Sequence, residues 1–228
     1  MREPVASALL VHGAGGGGWE WAIWRGVLQA AGLVVAAPDL EPVPAGIAAT
    51  RMQDYVGQML EAQSRLPRPC AVVGASLGGL IAMLMASYAD ALVLVNPLPP
   101  DPWHRGLPSR EWPGVVPWRR DARLASTRRA SCDADDASAL CAFRGWRDES
   151  GTVMNEACGG IIIEPPAIPV LCIASGDDVD VPSAVTRDLA RAWNARLIEW
   201  PDTDHVGPLL GRHAAAVAAE VRGWLSAR

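Results

Sequence analysis

Short apolar runs alternate along the chain with segments whose apolar residues recur at helical spacing. The runs that predict buried strands are residues 5–11, 33–37, 70–73, 91–95, 170–174 and 196–200. Between them, apolar residues repeat every three or four positions, for example over 47–64. Strands that alternate with helices predict a parallel sheet covered on both faces. We therefore expect an α/β fold, with a mostly parallel, doubly wound sheet of about six strands.

This alternation is lost between residues 97 and 166. The segment is rich in Pro, Trp, Arg and Asp and has no clear strand periodicity. The strand pattern returns only at Val170. We therefore expect residues 1–96 and 167–228 to form one core domain, and 97–166 to be a cap (lid) insertion over one end of the sheet.

Glycines cluster directly after the first predicted strand, in the stretch LLVHGAGGGGW, and two functions fit them. Gly13, Gly15 and Gly18 have the G-x-G-x-x-G spacing of a dinucleotide-binding turn. Asp39 then ends the second strand roughly 20 residues on, where a ribose-binding acid belongs. From His12 onward, the same letters match the loop that supplies an oxyanion-hole amide in many serine hydrolases. This motif alone does not decide between the two.

A second glycine motif, GASLG, favours the hydrolase. It matches G-x-S-x-G and lies between an apolar strand and an apolar helix. A serine on such a sharp turn stands clear of the sheet, with its hydroxyl at the positive end of the helix. The turn needs small neighbours, which Ala75, Gly78 and Gly79 supply. Ser76 is therefore the candidate nucleophile, and Asp39 is expected to be an ordinary loop residue.

A serine nucleophile needs a histidine base that is itself held by a carboxylate. In this fold type the acid and then the histidine follow the serine along the chain. His205 is the candidate base, because it lies in the loop between the last strand and the last helix. The acid is expected among three aspartates after the 170–174 strand: Asp178 first, Asp177 next, and then Asp180. The other histidines lie in the glycine loop, the insertion and the last helix: His12, His104 and His213.

Taken together, these motifs resemble the α/β-hydrolase superfamily. The opening LLVHGAGGGGWEWAIWRGVLQAAGLVVAAPDL is similar to the branch that contains plant methylesterases, salicylate-binding esterases and hydroxynitrile lyases. The similarity covers about 5–96 and 168–226, whereas the insertion resembles a family cap only in position. The resemblance implies an oxyanion hole made by the backbone N–H groups of Ala14 and Leu77. It also places the acid at Asp178, four residues before the Val-Pro proline.

The sequence differs from particular relatives at several positions, and some of these differences exclude specific activities. Ala75 replaces a histidine that many relatives place before the nucleophile, and Ser175 stands where glycine is common. Neither change disables a triad. A hydroxynitrile lyase of the similar branch depends on a pocket lysine, and this sequence contains no lysine. An epoxide hydrolase or haloalkane dehalogenase is excluded, because it needs a carboxylate in place of Ser76.

The expected activity is hydrolysis of a carboxylic ester of a small, apolar or aromatic substrate through an acyl-enzyme. The candidate pocket residues are Trp19, Ala75, Trp103, Trp118 and Trp146, although core packing explains each tryptophan equally well. An acyl-thioesterase or a carbon–carbon bond hydrolase would use the same triad. More remote alternatives are a non-hydrolytic cyclase, a ligand-binding receptor on the same fold, and a dinucleotide oxidoreductase.

Charge and cysteine content limit the binding partners and cofactors that the chain is expected to have. The 228 residues carry a formal net charge of −5, which disfavours nucleic acid as a partner. Five cysteines without a C-x-x-C pair disfavour a zinc site or a disulfide framework, and no cofactor or metal is expected. Neither a signal-peptide pattern nor an apolar run of transmembrane length is present. We therefore expect a cytoplasmic protein with a small-molecule substrate and no membrane partner; the Trp-rich insertion also suits a homodimer contact.

Overall fold

The computed structural model describes residues 3–227. Its strands are β1 (Ser7–Val11), β2 (Val34–Ala36), β3 (Cys70–Ala75), β4 (Ala91–Val95), β5 (Val115–Val116), β6 (Glu149–Ser150), β7 (Val170–Ser175) and β8 (Arg196–Trp200). In this part of the chain, six of them form one sheet in the order β2-β1-β3-β4-β7-β8, and every pairing is parallel. The short strands β5 and β6 pair antiparallel. The predicted α/β class and six-stranded sheet are confirmed.

Helices cover both faces of this sheet. The α-helices are α1 (Ala22–Ala30), α2 (Met52–Ser64), α3 (Leu77–Leu84), α4 (Leu124–Ala130), α5 (Asp136–Gly145), α6 (Gly151–Cys158), α7 (Ser183–Ala192), α8 (Gly207–Leu210) and α9 (Ala214–Leu225). Short 3-10 helices are formed by Gly18–Trp21, Ile47–Ala49, Ala86–Tyr88 and Trp103–Gly106. None of the helices within residues 3–227 has both the length and the hydropathy needed to cross a membrane.

Buried strands divide the core into two apolar layers. All residues of β1, β3, β4 and β7 are buried. Because successive side chains point to opposite faces of a strand, Leu9 packs in the layer that contains α2 and α3, and Leu10 packs in the layer that contains α1 and α9. The thiols of Cys70 and Cys172 are free and buried, and Cys172 lies in the layer that contains α2 and α3. A sheet buried on both faces leaves the loops at its strand ends as the accessible positions for chemistry.

The segment between β4 and β7 contains β5, β6 and helices α4 to α6. Buried polar groups tie it to the core: the hydroxyl of Ser150 donates to the carbonyl of Thr50 at 2.8 Å. The backbone amide of Met52, at the start of α2, donates to Glu156 at 2.8 Å. The segment is thus attached to the loops that precede α2, as well as through its two chain ends.

Candidate active site

Ser76 occupies the turn between β3 and α3 in a strained backbone conformation. Its φ of 51° and ψ of −120° lie outside the regions that side-chain-bearing residues normally adopt. The turn is anchored because the Ser76 amide donates to the carbonyl of Val95 at 3.0 Å. Helix α3 approaches the neighbouring strand β1 so closely that a Cβ on Gly78 would lie 2.1 Å from the carbonyl oxygen of Val11. This packing holds the serine at the carboxyl end of the sheet.

His205 and Asp178 are joined by a hydrogen bond. The distance from His205 Nδ1 to Asp178 Oδ2 is 2.7 Å. The other carboxylate oxygen of Asp178 accepts from the backbone amides of Asp180 at 2.9 Å and Val181 at 2.8 Å. The Asp178 side chain is fully buried, whereas Asp177 is exposed. Of the three candidate acids, Asp178 is therefore the one that orients the imidazole and leaves Nε2 free.

The electrostatic surroundings of His205 favour its protonated form. Burial lowers the pKa of the imidazole, but the hydrogen bond and charge of Asp178, with the charge of Asp180, raise it, and Glu20 raises it further where its carboxyl is ionised. The net effect is a pKa above the ordinary value of 6.5. A base of raised pKa accepts a proton more readily, and a buried carboxylate stabilises the imidazolium that results.

Polar side chains at the ends of β4 and β7 fix the loop that carries the histidine. The side-chain amide of Asn96 donates to the His205 carbonyl at 2.8 Å and to the Ser175 hydroxyl at 2.9 Å. The hydroxyl of Thr203 donates to the same Ser175 oxygen at 2.9 Å. Sequence reasoning missed Asn96 and Thr203, although Asn96 directly follows a strand that ends at the same edge of the sheet as Ser76. Ser175, noted only as a departure from the relatives, is thereby part of the support for His205.

The glycine loop after β1 lies directly against the serine. Gly13 and Ala14 line the same cavity as Ser76 and His205, and a Cβ on Gly13 would lie 3.2 Å from the Ser76 Cβ. Leu77 is the first residue of α3, so its N–H has no acceptor within the helix. The helix dipole adds positive potential at this end. Ala14 thus lies in the wall of the cavity in front of the serine, and Leu77 follows the serine directly at the start of α3.

Two residues of the insertion hold the glycine loop. The amide of Gly15 donates to Glu149 Oε2 at 2.9 Å, and the carbonyl of Gly15 accepts from the amide of Arg147 at 2.7 Å. Glu149 is 3% exposed, and its second oxygen accepts from the Tyr55 hydroxyl at 2.7 Å. Sequence reasoning missed Glu149, since the insertion has no periodicity that marks one carboxylate as buried.

His12 supports the glycine loop as a neutral imidazole. Its Nε2 accepts from the amide of Leu40 at 2.9 Å, so the proton lies on Nδ1, which donates to the Gly13 carbonyl at 2.8 Å. Burial lowers the pKa of His12 to about 4. This histidine precedes the serine in the chain and serves here as a structural link between the loop and residue 40.

Asp39 is more than the ordinary loop residue that we expected. Its Oδ1 accepts from the Gly18 amide at 2.7 Å, and its Oδ2 lies 3.3 Å from the Arg147 guanidinium. The Gly18 amide, which a dinucleotide phosphate would need, is therefore engaged by a carboxylate. Asp39 thus accepts from the first amide of the 3-10 helix Gly18–Trp21 and forms an ion pair with Arg147.

A cavity of about 420 Å³ opens in front of Ser76. Its wall contains Ala75 from the strand and three indole rings of the insertion: Trp112, Trp118 and Trp146. Trp112 and Trp118 meet edge to face, with ring centroids 5.5 Å apart. An aromatic wall of this kind binds apolar groups of a small ligand.

Two predicted pocket residues do not line this cavity. Trp19 lies behind the wall, where its ring meets that of Trp146 edge-on with centroids 5.5 Å apart. Trp103 packs instead against Trp193 of the core, at 6.4 Å between centroids. Both rings are used for packing, which is the alternative that the sequence left open. Trp112, which was outside the predicted set, takes their place.

One set of metal-type donors occurs in the described part of the chain. Donor atoms of Asp178, Asp180 and His205 lie within 4.8 Å of one another. The imidazole Nδ1 and both oxygens of Asp178 are already hydrogen-bonded within the protein. The cluster is therefore accounted for as an acid–base pair with one further carboxylate nearby.

Known proteins share this architecture. A family model described as "Alpha/beta hydrolase family" matches residues 8–220. The chain is similar to a pyrethroid hydrolase from Sphingobium faniae JZ-2, with 21% identity, a TM-score of 0.73 and 98% of each chain covered. It is also similar to the methylesterase MES16 from Arabidopsis, with 15% identity and a TM-score of 0.72 over 96% of this chain and 98% of that chain.

A third similar structure is a variant of tomato methylketone synthase I complexed with beta-ketoheptanoate, with 15% identity and a TM-score of 0.71. It is covered over 97% of its length, and this chain over 95%. No curated protein matches the sequence. At these identities the solved structures establish a shared fold.

Proposed function

Because the chain belongs to the alpha/beta hydrolase family, we propose that it is a serine hydrolase that cleaves carboxylic esters of small, apolar or aromatic substrates through an acyl-enzyme. The observation that carries the proposal is the 2.7 Å contact between His205 and Asp178 beside a strained serine that lines the same cavity. The names of two similar structures, a pyrethroid hydrolase and a methylesterase, fit ester hydrolysis.

In the proposed mechanism, Ser76 Oγ attacks the acyl carbonyl while its proton passes to Nε2 of His205. Asp178 holds the tautomer that leaves Nε2 free and stabilises the imidazolium. His205 then returns the proton to the leaving alcohol, and the acyl group stays on the serine. Water, deprotonated by the same imidazole, attacks the acyl-enzyme and releases the acid.

Negative charge on the former carbonyl oxygen is stabilised by the backbone amides of Ala14 and Leu77. Each such donor contributes about 3 kcal/mol to the transition state in comparable sites. The amides act only when the oxygen becomes an anion, so their contribution raises kcat more than it tightens substrate binding.

Covalent labelling and ester turnover together test this function. We expect a fluorophosphonate probe to label the wild-type protein on Ser76 and to leave the Ser76→Ala variant unlabelled. Turnover is measured with p-nitrophenyl esters of graded chain length, beside acyl-thioesters of the same acids. We expect esters to be preferred, and short or aromatic acyl groups to be preferred over long chains, because the cavity holds about 420 Å³.

Two controls keep the test decisive. Ser126 also lines the cavity, so Ser126→Ala is the matched serine variant, and we expect it to keep the label. Labelling that persists in Ser76→Ala would overturn the nucleophile assignment. A consistent preference for thioesters would replace the proposed substrate class with the thioesterase alternative.

A further inference from the structure

The carboxyl group of Glu20 lines the cavity and has no part in the proposed mechanism. Glu20 lies in the 3-10 helix Gly18–Trp21, and its side chain lines the same cavity as Ser76. The residue is 4% exposed, and its Oε2 has no hydrogen-bond partner within residues 3–227. A buried carboxyl oxygen without a partner is costly. Because Glu20 lines the cavity, its carboxyl group is a candidate partner for a polar group of the substrate.

The backbone is shaped to hold this carboxyl. A Cβ on Gly16 would lie 2.0 Å from Glu20 Oε2 and 2.8 Å from Oε1. The absence of a side chain at Gly16 thus provides the space in which the carboxyl group rests. The position is set by the same glycine loop that approaches Ser76, so Glu20 is fixed relative to the reacting centre.

Burial determines the protonation state of this group. It raises the pKa of Glu20 to about 8, although the backbone amides of Gly13 and Gly17 and the nearby His205 lower it in part. At pH 7 the carboxyl is therefore mainly neutral, with one O–H donor and one carbonyl acceptor. The other charged side chains that line the cavity are His205 and Asp180 on the core loops, and Arg110 and Asp121 on the insertion.

We propose that Glu20 is the specificity-determining residue of this cavity, and that its carboxyl O–H donates a hydrogen bond to an oxygen of the substrate close to the scissile ester. The inference rests on the proposed function and adds the substrate class: small esters that carry an ether, carbonyl or hydroxyl oxygen within a few atoms of the cleaved bond. A site built around a hydrogen bond rejects an isostere that lacks the partner, since its own polar group is then left unpaired.

Isosteric ester pairs test this directly. In the first pair, p-nitrophenyl methoxyacetate is compared with p-nitrophenyl butanoate; in the second, 2-methoxyethyl butanoate is compared with butyl butanoate. Each pair replaces one methylene by oxygen, on the acyl side or on the alcohol side. Discrimination is the ratio of the two kcat/KM values, divided by the ratio of the hydroxide-catalysed rates. Because both esters need the same serine and histidine, titration of His205 cancels in this ratio.

Four variants separate the donor from the shape of the wall. Glu20→Met keeps the size without a donor, and we expect discrimination to fall about tenfold in at least one pair. Glu20→Gln keeps an N–H donor and is expected to retain discrimination. Gly16→Ala displaces the carboxyl without removing it, so discrimination falls there as well. Glu220→Gln, on the exposed face of α9, is the control and leaves the ratio unchanged.

The pH dependence gives a second and independent readout. In the wild type, discrimination is expected to decline as the pH rises through about 8, because the ionised carboxylate loses its donor. In Glu20→Gln it stays constant from pH 6 to 9, since an amide does not titrate there. This comparison needs only the wild type and Glu20→Gln. It therefore tests the inference even if Glu20→Met fails to fold.

The possible outcomes separate a failure of this inference from a failure of the proposed hydrolase function. Equal discrimination in the wild type and Glu20→Met, with Ser76 still labelled by the fluorophosphonate, overturns the role of Glu20 and leaves the hydrolase intact. Loss of discrimination in Glu20→Met and Gly16→Ala, with retention in Glu20→Gln, supports it. Absence of both labelling and ester turnover in the wild type overturns the proposed function and this inference with it.

Discussion

The two sides of the candidate site are held in place by different means. On the acid–base side, Asp178 and His205 are supported by backbone amides and by Asn96 and Ser175 at the ends of core strands. On the side of the proposed oxyanion hole (the oxyanion side), Gly15 is held by Glu149 and Arg147 of the segment between β4 and β7. The segment between β4 and β7, which we predicted to be an insertion, therefore lines the cavity and also holds the glycine loop.

This difference has an energetic consequence. Strands β1, β3, β4 and β7 are buried throughout and contribute to the apolar stabilisation of the core, so the acid–base side, which is attached to the ends of β4 and β7, is expected to be as stable as the fold itself. The oxyanion side depends on a few polar contacts between two segments that are far apart in the chain. A change in the insertion is therefore expected to alter catalysis through Ala14 without disturbing His205.

The largest expected effect is on the acid–base side. Asp178→Asn removes the charge that stabilises the imidazolium and allows the wrong tautomer, so kcat is expected to fall about 10⁴-fold. The matched variant is Asp177→Asn, one residue earlier and exposed, which is expected to lose less than twofold. Ester kinetics on both variants measure the difference. Similar losses in the two would show that the acid has been assigned to the wrong residue.

On the oxyanion side, His12 is expected to make stability depend on pH. Its pKa is about 4 in the folded protein and 6.5 as the ordinary value, so the unfolded chain takes up a proton first as the pH falls. The stabilisation is present above pH 6.5 and is lost as the pH falls to 4, by about 3 kcal/mol in total. Urea unfolding at stepped pH values measures it.

The control for this prediction is the His12→Gln variant, which lacks the titrating ring. Glu20 contributes in the opposite direction, because its pKa is raised to about 8 and its stabilisation falls as the pH rises above 4.5. The difference between wild type and variant cancels that contribution. A difference that stays constant between pH 4 and 6.5 would contradict the neutral, buried state of His12.

A smaller loss is expected when the insertion releases the glycine loop. Glu149→Ala leaves the Gly15 amide and the Tyr55 hydroxyl without their acceptor, and Ala14 is then less precisely placed. We expect kcat to fall about 10- to 100-fold with KM little changed, since oxyanion contacts form only in the transition state. Kinetics with one preferred ester separate the two parameters.

Glu156 offers a matched comparison for Glu149. It also joins the insertion to the core, by accepting from Arg51 Nε at 2.7 Å and from the Met52 amide, but it contacts neither Gly15 nor the serine. We expect Glu156→Ala to retain kcat within about twofold, because its Arg51 contact is largely exposed. Equal losses of kcat in the two variants would mean that attachment of the insertion, and not the position of the loop, sets the rate.

The same contrast explains how much could be predicted from sequence. Apolar runs bounded by turn residues predicted β4 and β8 with their observed ends, and G-x-S-x-G located the strained turn at Ser76. These signals are local. Glu20 and Glu149 were missed, since burial of a carboxyl depends on contacts between distant segments. The tryptophans were only partly assigned, because composition does not tell which side of a wall a ring such as Trp19 faces.

The smallest expected effect tests the outer edge of the oxyanion side. Asp39→Ala frees the Gly18 amide and one partner of Arg147, yet the Asp39 side chain is 47% exposed, so water replaces much of what is lost. We expect the free energy of unfolding to fall by less than about 1 kcal/mol and kcat to fall less than threefold, since the Glu149 contact still holds Gly15. A loss of kcat in Asp39→Ala as large as that in Glu149→Ala would show that the loop is supported as one network that reaches Gly18, rather than only through the contacts of Gly15 with Glu149 and Arg147.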